Sequence, residues 1–277
     1  MRGRKEIGTT VKRTGMLLLM VAVCLLTISC GKAKPEKNGE NSDVTETPTP
    51  TRYYNSKEPT LSEEAKTFYQ FEEPAAGDIV VTIQFKKYGK ITIKLFPKEA
   101  PKAVENFVTL AKQGCYENSK LTRVIADYLI QSSNAQGYTS SIYGGGFAVE
   151  TSSELRPVRG ALCMADAGED GTNTSSFYIV ATKAGILRGL SDPLDARYQM
   201  SFSDYLKEAY NTSLSEKELD FYYTYGGAPW LYGHQTVFGQ VIDGFEVLDT
   251  ICEAKVTSKC VPNPGIFIEN ITVKTIE

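Results

Sequence analysis

Histidine and cysteine, the usual side chains for metal binding and thiol or imidazole catalysis, are few and scattered. There is a single histidine, His234, and six cysteines at positions 24, 30, 115, 163, 252 and 260. No two cysteines form a CxxC pair and none clusters with His234, so a tetrahedral zinc site is not expected. A Ser/His/Asp set, a P-loop and a dinucleotide fingerprint are absent too. Gly144-Gly145-Gly146 reads as a loop tip and does not imply phosphate binding. Cys163 lies in an apolar run and reads as a small buried hydrophobe. Cys252 and Cys260 are the nearest pair in the mature chain, but spacing alone leaves a disulfide between them open. Arg123, set between aliphatic residues in Thr122-Arg123-Val124-Ile125, is by residue type alone a solvated strand side chain. Aromatic and methionine positions default to core in the same way.

The elements that must position any site read mostly as strands. Ile79–Phe85 and Ile91–Phe96 flank the turn Lys86-Lys87-Tyr88-Gly89-Lys90 and predict a β-hairpin. Pro101 opens a helical pattern in which Ala103, Val104, Phe107, Val108 and Leu110 share a face, with Gly114 as the stop. Leu121–Gln131 reads as a strand pair or an extended run. Ala161–Ala165, Phe177–Ala181, Thr236–Val241 and Ile266–Ile276 read as further strands, and Phe245–Cys252 as a helix. Many short strands with glycine-rich turns and two good helices suggest a closed β-barrel. Residues 184–229 interrupt the pattern. Phe202–Tyr210 and Leu219–Tyr225, the latter preceded by the capping-box sequence Ser215-Glu216-Lys217-Glu218, predict a two-helix insertion. It is too short for its own core and reads as an excursion from a barrel loop.

Composition bounds the class. The chain has 277 residues, 42% hydrophobic and 23% charged, which is ordinary globular usage. A net charge of −3 argues against nucleic acid as a partner. Residues 1–15 are basic, and Met16–Ile28 form a 13-residue apolar run, short of the roughly 20 residues of a spanning helix. A basic start followed by a short apolar core is a secretory pattern. Its end, Leu26-Thr27-Ile28-Ser29-Cys30, resembles a bacterial lipoprotein signal, which implies a signal peptide over 1–29 and lipidation of Cys30. Residues 30–76 follow as a tether whose first part has almost no large apolar residue and is expected to be disordered. The folded domain is expected over 77–277, attached to the extracytoplasmic face of the cell membrane.

Five segments of that domain, in order, resemble the cyclophilin family of peptidyl-prolyl isomerases. They are Pro101–Leu110, Thr122–Gln131, Gly160–Gly168, Asn173–Ile179 and Trp230–Val241. The resemblance covers about residues 78–277 less the insertion. It implies a mainly β fold, an eight-stranded antiparallel β-barrel capped by two helices, with the active groove on the outer face. Carried over by position, it implies Arg123 as the catalytic arginine and Gln131 as a contact to substrate backbone. Tyr128, Leu129, Met164, Ala165, Tyr178, Trp230 and Leu231 fall at substrate-binding positions. The sequence departs from the family at Thr122, usually histidine, at Ser132-Ser133-Asn134, usually Gly-Gly-Asp, at Ser176, usually glutamine, and at Gln235, often histidine.

The implied reaction is rotation of X–Pro bonds in proline-containing polypeptide clients, in support of the folding of exported proteins, by a monomer. Such a reaction breaks no covalent bond and implies no cofactor and no metal. A proline-peptide binding module with little turnover is the alternative; retention of Arg123 with an apolar pocket favours the enzyme.

Overall fold

A computed structural model describes residues 68–133, 141–166 and 172–277, with backbone alone at 166, 192, 193 and 195–198. The predicted signal peptide, Cys30 and most of the tether lie outside the described residues. Eight strands form one sheet: β1 (Ile79–Phe85), β2 (Gly89–Leu95), β3 (Leu121–Ile125), β4 (Leu129–Ser132), β5 (Ala161–Asp166), β6 (Asn173–Val180), β7 (Val237–Asp243) and β8 (Ile268–Thr275). Their order is β3-β4-β6-β5-β7-β2-β1-β8, and every neighbouring pair is antiparallel. The sheet curls until its ends meet. Lys120 bridges Phe267, Leu121 N–H donates to the Ile266 carbonyl at 2.9 Å, and Ile268 N–H to the Ser119 carbonyl at 2.8 Å. This is the mainly β barrel that the sequence leads one to expect.

Strand alternation sorts side chains to two faces. Val81, Ile83, Phe85, Ile91, Ile93, Leu95, Leu162, Phe177, Ile179 and Phe238 fill the interior. Helix α1 (Pro101–Lys112) adds Ala103, Val104, Phe107 and Leu110 to that core, and α5 (Phe245–Cys252) adds Val247, Leu248 and Ile251. Phe107 stands edge-on to Phe177 at 5.1 Å and to Phe238 at 5.3 Å. Pro101 starts α1 with a preset φ. The Glu150 carboxylate closes that helix end by accepting the Lys102 and Ala103 N–H groups at 3.1 and 2.9 Å.

The insertion holds three helices, where the sequence predicts two: α2 (Ala184–Tyr198), α3 (Phe202–Tyr210) and α4 (Glu216–Tyr225). The unpredicted one carries Gly185, Gly189 and Pro193, all poor helix formers. Burial of Leu187 and Leu194 against α3 and α4 stabilises it instead. The insertion ends at Gly226-Gly227, where φ is +78° and +128°. A Cβ on Gly227 would stand 2.6 Å from the Pro157 carbonyl, so only glycine lets this backbone press onto the barrel and pair with Val158.

The folded region also begins earlier than Gly77. Tyr69–Phe71 form a 3₁₀ turn, and Gln70 is 3% exposed. Its amide donates to the Arg156 carbonyl at 2.9 Å and to Gln240 Oε1 at 2.8 Å, and accepts the Arg156 N–H at 2.8 Å. Lys94, 1% exposed on β2, donates to the Glu72 carbonyl at 2.7 Å beneath the Tyr69 ring. Phe68 to Ala76, assigned above to the tether, therefore belong to the packed structure. Cys252 is a free buried thiol and does not pair with Cys260.

Candidate active site

The β3–β4 hairpin turns through Ile125-Ala126-Asp127-Tyr128. Tyr128 N–H donates to the Ile125 carbonyl at 3.1 Å, and Asp127 takes a φ of +58°. This tight turn sets the register that puts Arg123 opposite Gln131. Gln131 in turn lies opposite Tyr178 on β6, Tyr178 opposite Cys163 on β5, and Cys163 opposite Val237 on β7. Facing residues of a sheet share a face. Arg123, Gln131, Tyr178, Cys163 and Val237 therefore form one row across five strands on the outside of the barrel. Arg123 is exposed, Gln131 is half-buried, and the other three form an apolar floor. Leu129 and Ala165 belong to the same outer cluster, with Tyr128, Trp230 and Leu231 at its half-buried edge.

Trp230 and Leu231 come from a 3₁₀ turn, Pro229–Leu231, that follows the insertion. The Ala228 N–H anchors it to the Pro157 carbonyl at 2.7 Å. The Trp230 indole N–H donates to the Tyr128 hydroxyl at 3.3 Å, with the ring centroids 5.6 Å apart. Burial raises the Tyr128 pKa, against the opposing influence of the indole N–H and of Arg123, so its hydroxyl stays neutral. Burial pushes the Cys163 thiol up to about 12, while a hydrogen bond with Tyr178 works the other way. At neutral pH Cys163 is a packing group and no nucleophile. The arrangement thus offers a cation at the edge of an apolar recess, with the half-buried Gln131 amide beside it. It is built to hold an uncharged, partly apolar ligand.

Of the nine residues expected at the site, eight lie on this face. Met164 does not. It is fully buried in the interior with Phe177 and Ile179, while Ala165, the next residue on β5, faces outward. Consecutive strand residues point to opposite faces, so the two cannot both line one groove. Ser176 and Gln235 are half-buried, and His234 is exposed in a turn. Asn134 lies outside the described residues. Ile125 and Val180 belong to the outer cluster without having been expected there, although counting by twos from Arg123 and Tyr178 reaches both. Tyr210 and Thr212, from the insertion, also reach the rim. The Tyr210 ring stands 6.4 Å from Trp230, and the Thr212 hydroxyl donates to the Trp230 carbonyl at 3.4 Å. No local pattern marks these two.

The family described as cyclophilin type peptidyl-prolyl cis-trans isomerase/CLD matches residues 80–273. A relative from Staphylococcus aureus named peptidyl-prolyl cis-trans isomerase is 39% identical over 206 residues, covering 73% of this chain and 95% of its own. One from Staphylococcus epidermidis is 40% identical over 201 residues, covering 72% and 93%. Among solved structures, a Cryptosporidium parvum cyclophilin type isomerase crystallised in the presence of the dipeptide Ala-Pro superposes with a TM-score of 0.51 at 28% identity. It covers 70% of this chain and 98% of that one. With the barrel, the family match and relatives matched over nearly their full length in agreement, this chain belongs to the cyclophilin-type peptidyl-prolyl cis-trans isomerases.

Proposed function

We propose that this isomerase rotates X–Pro bonds in exported proteins as they fold, using Arg123 as its catalytic residue, and that it works as a monomer lipid-anchored through Cys30 on the extracytoplasmic face. The reaction faces a barrier of about 18–20 kcal/mol, because the amide is conjugated. As the bond twists, conjugation is lost and the prolyl nitrogen gains a basic lone pair. A donor placed there binds the twisted state better than either planar one, which is the requirement for acceleration. Tyr128, Leu129, Ala165, Tyr178 and Leu231 hold the proline ring, Gln131 holds the neighbouring backbone, and Arg123 donates to the prolyl nitrogen. The observation that carries this reading is the cross-sheet row, in which an exposed Arg123 stands beside Gln131 and the apolar floor.

In an NMR exchange assay on an X–Pro peptide, Arg123→Ala is expected to lower kcat/KM at least about tenfold, roughly 1.4 kcal/mol of barrier, with an unchanged circular dichroism spectrum. Turnover equal to the parent's would remove Arg123 from the mechanism. The anchor rests on the basic and apolar amino terminus ending at Cys30. In cells fed labelled fatty acid the parent is expected to carry label and Cys30→Ser to lack it. An unlabelled parent would leave a plain secretory signal.

A further inference from the structure

Tyr210 ends α3, and Asn211 stops that helix in the left-handed region, with φ +54°. The chain then returns to the groove rim at Thr212, which bonds the Trp230 carbonyl. Four rings follow one another along this path. Tyr205, buried, stands edge-on to Tyr210 at 5.9 Å. Tyr210 lies 6.4 Å from Trp230 with 37° between the planes, and Trp230 lies 5.6 Å from Tyr128. Trp230 belongs both to the outer cluster of the barrel and to the core of the insertion. Core packing accounts for Tyr205. Tyr210, Trp230 and Tyr128 also pack against these clusters, but each is only half-buried, so part of every ring stays open to a ligand. These three form an apolar strip continuous with the proline recess, and its far end comes from the insertion. Partly exposed rings side by side suit a ligand that brings apolar surface of its own.

Resting on the groove reading above, we propose that Tyr210 is a specificity-determining residue: it extends the apolar wall of the groove past Trp230 and favours clients with a large apolar or aromatic side chain next to the X–Pro unit. The occupant of the strip is the segment of client chain that flanks the proline already in the recess. A loop carried on a rigid barrel is the usual place for such selection.

The test uses the full chain and two peptides, Phe-Ala-Pro-Phe and Ala-Ala-Pro-Ala. Trp230 is the single tryptophan of the chain, so its emission reports binding at the strip directly. The parent is expected to bind and turn over the phenylalanine peptide more effectively. In Tyr210→Ala the ratio of kcat/KM between the two peptides is expected to fall about fivefold, as suits the loss of one aromatic contact, mainly through KM. Tyr210→Phe, which keeps the ring, should retain the parental ratio. Equal Trp230 titrations of the parent by the two peptides would overturn the proposal, whether or not any variant folds. An unchanged ratio in Tyr210→Ala would overturn it as well, as would equal losses in Tyr210→Phe and Tyr210→Ala. Arg123→Ala, measured on the same pair, separates the two ideas. If it turns over both peptides like the parent, the groove reading fails; if it is slow on both while Tyr210→Ala leaves the ratio alone, only the role of Tyr210 fails.

Discussion

Ser215 takes the Glu218 N–H on its hydroxyl at 3.3 Å, and the Glu218 carboxylate accepts the Ser215 N–H at 2.9 Å and its hydroxyl at 2.8 Å. The box that starts α4 is thus formed by the two side chains its sequence pattern names. The Glu218 carboxylate also meets Arg156 at 3.4 Å. Burial alone would push its pKa up, but the Ser215 bonds and Arg156 outweigh that and hold it below the ordinary value. A carboxylate depressed in the folded state stabilises above the ordinary carboxylate range and loses that contribution as pH falls through its folded pKa. Ser215→Ala is expected to cost about 1 kcal/mol in urea unfolding at neutral pH. Glu218→Ala should flatten the acid limb of a stability–pH curve relative to the parent. An acid limb as steep as the parent's would show that Glu218 is not held by the box. At the groove, Met164 and Ala165 make a related point about single residues. Their types suit either environment, and strand parity alone separates them.

The segment Phe68–Ala76 illustrates how an element is stabilised by what it touches. Its aromatics Phe68, Tyr69 and Phe71 set it apart from the first part of the linker, but the segment is too short for a periodicity to mark it as an element. Yet Gln70 satisfies both Arg156 backbone groups and the buried Gln240, and Glu72 satisfies the buried Lys94. Phe68 and Phe71 pack against Phe221 of α4 in tilted pairs, with ring centroids 4.6 and 5.8 Å away. The segment therefore ties β2 and β7 to the insertion. Removing the Gln70 amide strands the buried Gln240 oxygen and the Arg156 N–H, each worth about 1–3 kcal/mol when left unmade. Gln70→Ala is accordingly expected to lower the unfolding free energy by about 2 kcal/mol or more, read by urea or thermal melts. A change within about 0.5 kcal/mol, as for a surface site, would return the segment to the tether.

At the scale of the whole molecule, the barrel builds the row that carries the proposed site, and the insertion touches its edge through Tyr210 and Thr212. The row from Arg123 to Val237 draws on five strands that lie up to 114 positions apart in the chain. Much of this was already legible in the amino-acid sequence. The β1–β2 hairpin, α1 with its proline start, α5 and the α4 box depend on residues close together in the chain, where periodicity and turn chemistry act. The order of the short segments from Pro101 to Val241 was enough to point to the family and, through it, to Arg123, Gln131 and Tyr178. Tertiary structure alone decided the rest. It turned Met164 inward, drew Phe68–Ala76 into the fold, formed α2 despite its glycines and proline, and brought Tyr210 to Trp230. Each of these outcomes rests on burial and hydrogen bonds between distant segments, which override weak local preferences and leave no periodic trace in the sequence.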